Sequence, residues 1–396
     1  MRLLVLTSSY PQRPGDWRGA FVRELSLALM EQDIDVRVAA PRPDPADVIE
    51  TDPAGPDVVW LPSVLPATTK AFFGSGLETN LLAHPGWALG LPKFLTAFSI
   101  EAALQAWQVD GIVAHWLLPM GFVGATIARV VKRPLIVVDH SGPPTVAWIP
   151  PMRQMARFAV ASAGAVVCVS DEVRMRTASF VGSELAQRLV TRPMGIDLRP
   201  TAAPPKTSHQ VRILFVGRLV SMKGVDVLIR ALQGMDKMAL MIIGDGPEAS
   251  SMRTLAAKLD VHVTFAGEQD RETTRAAMQR HDVLIIPSKN GFLGRREGLP
   301  RVMQEAWACG LPVIASKTGG LSEAIQQHGG GMLVVTGNVR SLRDALNDFS
   351  RDAMLRERLR REAMEAARSY SWQALGPSWA ALIRDVVAGR PLRDSA

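Results

Sequence analysis

The chain has 396 residues, carries 45 Lys+Arg against 38 Asp+Glu, and is 47% hydrophobic and 21% charged. At roughly 100–200 residues per domain, this predicts two or three domains with ample apolar side chains for their cores, and it excludes a disordered, highly charged tail protein. Two cysteines, Cys168 and Cys309, are too few for a disulfide framework or a four-ligand zinc site and read as buried thiols in a reducing compartment.

The charge is uneven. Residues 1–200 hold 18 of each sign, leaving 27 Lys+Arg against 20 Asp+Glu in 201–396, so the formal +7 belongs to the second half. That bias suits an anionic ligand. It also suits a solvated helix face, because Arg356, Arg358, Arg360 and Arg361 interleave with Glu357 and Glu362. Alternating signs predict a salt-bridged helix surface and no nucleic-acid partner.

In chain order, MRLLVLTSSY offers five apolar residues before polar ones and reads as a buried strand, with no export signal. Strands are expected at Leu3–Thr7, Val36–Ala39, Val58–Leu61, Gly111–Ala114, Leu135–Val138 and Ala165–Val169. Helical patterns separate them, with Phe21, Leu25, Ala28 and Leu29 on one face. The apolar region from Phe72 to Trp107 is broken by glycines, prolines and charges, so no membrane-spanning helix of about 20 residues is expected. Its Trp87, Leu89, Leu91, Phe94, Leu95 and Phe98 fit either a buried helix or a shallow contact with a membrane surface, and the buried helix is favoured.

A proline-rich stretch, 192–206, reads as a linker. Beyond it, strands are expected at Arg212–Val216, Ala239–Ile243, His262–Phe265, Val283–Ile286, Val313–Ala315 and Met332–Val335, with helices at Val225–Leu232 and Gln304–Ala308. Strands alternating with helices in both halves predict α/β architecture: two Rossmann-like, doubly wound domains of similar size facing across a cleft. Ligands of such sheets bind beyond the carboxyl ends of the strands, so the loops there are where chemistry is expected.

Three of those loops carry candidate residues. Gly217-Arg218-Leu219-Val220-Ser221-Met222-Lys223-Gly224 joins a strand to a helix, and two cations beside helix amides suit a diphosphate. Gly244-Asp245-Gly246-Pro247 also ends a strand but lacks the third glycine of a dinucleotide fingerprint; alone it reads as a tight turn. After Val283–Ile286 the chain runs through Glu297, Gly298, Leu299 and Pro300 to Glu305. Proline suits the first turn of a helix, placing Glu297 on the loop and Glu305 in the second turn. On one continuous helix the two acids would be turned about 80° apart. Carboxylates bind vicinal hydroxyls, so ribose and sugar rings are natural partners.

As an ordered set, these loops resemble the retaining glycosyltransferases of family 4, which use the two-domain fold called GT-B. The resemblance rests on Glu297-x7-Glu305 followed by Ala306-Trp-Ala-Cys-Gly-Leu-Pro-Val-Ile-Ala315 and Thr318-Gly-Gly-Leu-Ser-Glu323. Gly217-Arg218, Lys223-Gly224, Gly244-Asp-Gly-Pro247, Pro287-Ser288 and Met194-Gly-Ile-Asp197 stand in the family's order. It implies that Arg218 and Lys223 hold the diphosphate of a sugar nucleotide and that Glu305 accepts the ribose hydroxyls. Glu297 would face the transferred sugar near its reacting carbon, with loop amides around Gly298 and Leu299 supporting sugar or phosphate. In the first domain, Gly19 matches a glycine turn approaching the donor, His140 a catalytic-site histidine facing the transferred sugar, and His115 a position on the acceptor side. Two departures stand out: the family often has glycine where Pro300 stands, and Arg18-Gly19-Ala20 supplies one glycine of a usual pair.

The resemblance further implies a discontinuous first domain, 1–195, that binds acceptor and is rejoined by a C-terminal helix at about 372–390; residues 196–371 would bind the donor. The implied activity is retaining, metal-independent sugar transfer to an acceptor hydroxyl in cell-surface polysaccharide or glycolipid synthesis. It needs no cofactor, the nucleoside-diphosphate sugar being a substrate, and no Asp-x-Asp metal cradle occurs in the sequence. The implied partners are that donor and a glycan or lipid-linked acceptor. The implied location is the cytoplasm, with a peripheral position on the cytoplasmic face of the inner membrane as the extension. Rival readings on the same fold are a sugar-nucleotide 2-epimerase, which would convert donor without acceptor, and a non-catalytic nucleotide-binding scaffold. A glycan phosphorylase would need a pyridoxal-binding lysine, for which the sequence offers no context.

Overall fold

The computed structural model describes residues 1–13, 15–42, 49–50, 52–61, 80, 84–143, 149–198, 210–291 and 298–392. They divide into two compact units: unit 1 is Met1–Gly195 with Trp372–Ala396, and unit 2 is Ile196–Ser371.

Unit 1 is built on a seven-stranded sheet in the order β3-β2-β1-β4-β5-β6-β7. Its strands are β1 Arg2–Leu6, β2 Asp35–Pro41, β3 Asp57–Leu61, β4 Gly111–His115, β5 Leu135–Asp139, β6 Ala165–Cys168 and β7 Leu189–Thr191. Every pairing is parallel. β1, β4 and β5 are almost wholly buried, which is why they read as continuous apolar runs rather than alternating ones. Six of these strands are the expected ones. β7 is the addition: three residues ending at Arg192-Pro193 form an edge strand too short to register as a pattern.

Unit 2 holds a six-stranded parallel sheet in the order β10-β9-β8-β11-β12-β13. Here β8 is Val211–Val216, β9 Met238–Ile243, β10 Val263–Gly267, β11 Val283–Ile286, β12 Val313–Ser316 and β13 Gly331–Val334. In each sheet the strand order reverses once, between β1 and β4 and between β8 and β11. Right-handed crossovers then place helices on both faces.

The helices named below are α1 Ala20–Met30, α2 Leu91–Ala106, α3 Phe122–Val131, α4 Pro150–Ser162, α5 Asp171–Val181, α6 Ser183–Ala186 and α7 Val225–Leu232. They continue as α8 Ala249–Lys258, α9 Arg271–Arg280, α10 Arg301–Ala308, α11 Gly319–His328, α12 Val339–Arg351, α13 Ala353–Ser369 and α14 Trp372–Val387. α7 shows how they pack: Val225, Leu228, Ile229 and Leu232 recur at helical spacing and are buried against Ile213, Phe215, Leu240, Ile242 and Ile285 of the sheet. The Arg-rich stretch forms α13. There Arg358 reaches Glu362 at 3.6 Å, Glu362 accepts the Gly330 N–H, and Arg356 donates to the Phe349 and Ser350 carbonyls.

α14 belongs to unit 1. The Trp379 indole N–H donates to the Pro193 carbonyl at 3.0 Å, and the Trp372 indole N–H to Glu24 on α1 at 3.4 Å. Beside the boundary, Ile196 N–H donates to the Tyr370 carbonyl at 2.8 Å, and Ile196 and Ser371 form a parallel bridge. The expected linker is described as far as Leu198; its remainder lies outside the described residues.

Cys168 and Cys309 are both buried free thiols. In the apolar stretch on α2, Phe94 and Phe98 are core residues, as the buried-helix reading requires. The same helix turns Ile100 and Leu104 outward, the Trp107 that caps its end is exposed, and Leu89 just before it is 87% exposed. No helix among the described residues is long and apolar enough to cross a membrane.

Candidate functional site

In unit 2 the candidate residues lie where the strand order reverses. The chain leaves β8 at Gly217, places the half-buried Arg218 and Lys223 on the connecting loop, and enters α7 after Gly224. Backbone hydrogen bonds hold the loop from two sides. Toward β9, Gly217 N–H donates to the Ile243 carbonyl at 3.0 Å and Leu219 N–H to the Asp245 carbonyl at 2.8 Å, while Glu248 N–H donates to the Leu219 carbonyl at 3.0 Å. Toward β11, Lys289 N–H donates to the Met222 carbonyl at 2.7 Å. The Lys289 ammonium also meets Asp226, in the first turn of α7, at 2.9 Å. Gly244-Asp-Gly-Pro247 is thus the backing of the Arg218 loop: a side chain on Gly244 or Gly246 would overlap the carbonyls of Gly217 and Leu219.

The loop after β11 leads to α10. Glu297 lies among residues 292–297, outside the described residues. Gly298 is buried, and its carbonyl accepts the Gly320 N–H of α11 at 2.9 Å; Leu299 is half-buried. Thr318 donates to the Asn290 side chain at 3.0 Å, tying the loop after β12 to the one after β11. Pro300 sits one position earlier than expected, as the residue capping α10 rather than in its first turn. Lacking an N–H, it leaves one fewer amide at this helix start. Glu305 is in the second turn of α10. Its Oε1 is met by Arg271 of α9 at 3.4 Å and by Arg301, one turn back, at 3.7 Å. Two guanidiniums therefore fix one carboxylate oxygen of the acid expected to bind ribose.

In unit 1 the candidates again cluster where the strand order reverses. Gly19 ends the loop after β1 and caps α1 with φ +65°; a Cβ there would overlap the Ser9 carbonyl and lie 2.8 Å from Tyr10 Cα. Only glycine accepts both constraints. Asp16 braces this loop by accepting from Gln12 N–H at 3.2 Å and Arg18 N–H at 3.0 Å.

His115 and His140 come together at the ends of the adjacent strands β4 and β5. His115 Nδ1 and His140 Nε2 are 2.9 Å apart, and the rings meet edge to edge, with centroids at 5.2 Å and planes 14° apart. His115 is fully buried and His140 half-buried. Burial pushes the His115 pKa down to about 3, so it is neutral at physiological pH. Phe21 on α1 lies 4.7 Å from the His140 ring and Trp116 lies 5.4 Å from it. Trp116 holds φ +68°, an uncommon conformation for a bulky residue and one that concentrates at functional sites. Behind His140, the buried Asp139 accepts from Gly142 N–H at 2.9 Å and the Thr177 hydroxyl at 2.7 Å, while desolvation raises its pKa.

Arg218, Lys223, Gly298, Leu299 and Glu305 thus share the carboxyl end of the unit 2 sheet; Gly19, His115 and His140 share that of unit 1. Sequence reasoning missed Arg271, Arg301, Phe21 and Trp116 as site residues. Arg301 stands four residues before Glu305 on one helix, a spacing that could have flagged it. Arg271 comes from another helix and leaves no local signal.

Comparison with known proteins bears on the family and the fold. Residues 201–366 match the family described as Glycosyl transferases group 1, and residues 19–199 match Glycosyltransferase Family 4. A GDP-mannose-dependent alpha-(1-6)-phosphatidylinositol monomannoside mannosyltransferase of Mycobacterium tuberculosis is 31% identical over 270 residues, covering 62% of this chain and 68% of the relative. Among solved structures, a sucrose-phosphate synthase from Thermosynechococcus elongatus superposes with a TM-score of 0.78 at 21% identity, over 98% of this chain and 99% of the other. An Anabaena protein solved with UDP and glucose gives 0.75 at 20% identity, over 97% and 99%. With two parallel-sheet α/β units, both halves matched and a relative of this identity, the chain belongs to the group 1 glycosyltransferases of family 4 and has their GT-B fold.

Proposed function

We propose that this chain moves a sugar from a nucleoside-diphosphate sugar to a hydroxyl of a glycan or lipid-linked acceptor, with retention of anomeric configuration and without a divalent metal. The observation that carries the reading is the Arg218–Lys223 loop. It lies at the end of β8, is hydrogen-bonded to the loops after β9 and β11, and precedes the amino terminus of α7.

A departing nucleoside diphosphate gathers negative charge. Preorganised cations and helix amides favour that charge without reorganising during the reaction. In this proposal Arg218 and Lys223 hold the diphosphate, Glu305 takes the ribose hydroxyls through the oxygen its two arginines leave over, and Gly298 and Leu299 support the donor. Gly19 gives the donor a close backbone approach, and His140 and Glu297 face the transferred sugar. The anomeric carbon becomes oxocarbenium-like as its bond to the phosphate oxygen breaks. The acceptor oxygen then bonds to that carbon on the same face, and its proton passes to the departing phosphate oxygen. The named acceptor of the mycobacterial relative supports a lipid-linked acceptor for unit 1.

The outward side chains of Ile100, Leu104 and Trp107, spaced i, i+4, i+7 and following the exposed Leu89, are the proposed peripheral contact with a membrane carrying such an acceptor. A vesicle flotation assay checks this: Leu104→Glu together with Trp107→Glu should abolish co-flotation that the wild-type chain shows.

The test of the main reading is a panel of sugar nucleotides, GDP-mannose and UDP-glucose first, screened for a raised melting temperature with and without EDTA. A ligand that binds only the folded chain raises that temperature. The hits are then followed for product with a phosphoinositide-type acceptor. No stabilisation by any sugar nucleotide, or stabilisation that EDTA removes, counts against it. Donor epimerised without acceptor points to the epimerase, and binding without turnover to the scaffold.

A further inference from the structure

His115 matches an acceptor-side position by resemblance, yet it is 0% exposed and has no surface to offer a substrate. The residue after it is placed differently. His115 and Leu117 are sealed in the core, while Trp116 between them is half-buried and keeps part of its surface open. It stands just past the carboxyl end of β4, where the strand order of unit 1 reverses and where ligands of such sheets bind.

The backbone of Trp116 has φ +68° and ψ 139°, outside the left-handed helical well and in territory that suits glycine. Hydrogen bonds hold it there from both sides: Trp116 N–H donates to the Val138 carbonyl at 2.8 Å, and its carbonyl accepts the Gly121 N–H at 2.9 Å. Glycine would serve this turn better, so the indole is explained by what it meets and not by the backbone that carries it. It lies 5.6 Å from Phe21 on α1, with ring planes 80° apart, and 5.4 Å from His140. The indole N–H sets Trp116 apart again. The buried Trp307, Trp372 and Trp379 donate theirs to the Gly330 carbonyl, Glu24 and the Pro193 carbonyl. That of Trp116 donates to no group among the described residues.

From this geometry we propose that Trp116, flanked by Phe21, is the aromatic platform on which the ring of the acceptor, a pyranose or a cyclitol, packs beside His140. Such a ring has a face of C–H groups bounded by hydroxyls. The apolar face suits an indole, and the hydroxyl rim suits the indole N–H. Packing there holds the attacking hydroxyl next to the histidine assigned to the transferred sugar, which is the orientation that transfer needs. The inference rests on the proposed function for calling this ring the acceptor; that a polyol ring binds at Trp116 does not.

The test pairs Trp116→Gly, which removes the ring where glycine is at ease, with Trp116→Phe, which keeps an aromatic face. Both are assayed with the donor and acceptor that the wild-type chain turns over. Trp116→Gly is expected to raise KM for the acceptor about tenfold or more while donor affinity changes less than about threefold. Trp116→Phe is expected to recover most of that loss. Unchanged acceptor KM in Trp116→Gly, an equal loss of donor affinity, or a Trp116→Phe chain no better than Trp116→Gly overturns the proposal. A second arm needs no turnover. The full chain is labelled with fluorotryptophan, and the Trp116 ¹⁹F signal is the one that Trp116→Phe lacks. Methyl α-mannopyranoside, methyl β-glucopyranoside and myo-inositol are added in turn. At least one is expected to shift that signal and leave those of Trp307 and Trp379 in place. No shift with any of the three overturns the proposal, even if Trp116→Gly fails to fold. Should the signal shift while no sugar nucleotide binds or reacts, the functional reading fails and the ring site stands.

Discussion

Gly224 and Pro287 meet backbone to backbone, so that a side chain on Gly224 would overlap the Pro287 carbonyl oxygen. The loop carrying Lys223 thereby lies directly on the loop after β11, with φ +67° at Gly224 making the turn.

That contact makes Gly224→Ala costly. We expect it to destabilise unit 2 by at least about 3 kcal/mol, left-handed strain and overlap combined. Gly267 supplies the control, since it has φ +70° but nothing within 4 Å of a Cβ. Gly267→Ala should cost only the strain, about 1 kcal/mol. Urea denaturation of both variants checks the difference, and equal midpoints would refute the overlap.

Arg218→Ala and Lys223→Ala should each weaken sugar-nucleotide binding about tenfold or more, some 1.4 kcal/mol for loss of a charged hydrogen bond. Titration calorimetry with the nucleoside diphosphate alone should show the same loss, because the diphosphate is the group concerned. Unchanged affinity in both variants would sink the phosphate assignment.

For Glu305, removal and loosening should differ. Glu305→Ala should raise KM for the donor about tenfold with kcat little changed, the pattern of lost ground-state binding. Arg271→Ala should do less, because Arg301 still reaches the same oxygen and a half-exposed pair is worth about 0.2–1 kcal/mol. Steady-state kinetics of the two variants side by side give the comparison.

His115 titrates near 6.5 when unfolded and at about 3 in the folded chain. Between those values the unfolded state binds the extra proton, so stability is full above pH 6.5 and falls as pH drops toward 3. By linkage, the slope from this one group approaches about 1.4 kcal/mol per pH unit. His281 and His328 are lowered by burial too and act in the same direction. Urea midpoints between pH 7 and 5 should fall, and His115→Asn should flatten the fall.

The strands were legible because both sheets are parallel and buried, so each inner strand is a β-branched run closed by a turn. The position of the Arg218–Lys223 loop was legible for a related reason: glycine and charge at a strand's carboxyl end are local features. Depth was not. His115 and His140 look alike in sequence, each a histidine at a strand's carboxyl end, yet the fold seals one and leaves the other half-open. α2 was ambiguous for the opposite reason: Phe94 and Phe98 point inward while Ile100, Leu104 and Trp107 point outward, and a helix apolar on two sides has no periodicity to read. Glu297, the acid on which the resemblance leans most, lies outside the described residues.

Because α14 packs into unit 1 through Trp379 and Pro193, the two units are completed in an unexpected order during synthesis. Unit 2 is one continuous segment and can close as soon as residue 371 has left the ribosome. Unit 1, though begun first, waits for residues 372–387 before its last helix can dock. A chain truncated after residue 371 would therefore carry a complete unit 2 and, on unit 1, the bare apolar seam that Trp379, Leu382 and Ile383 cover in the full chain.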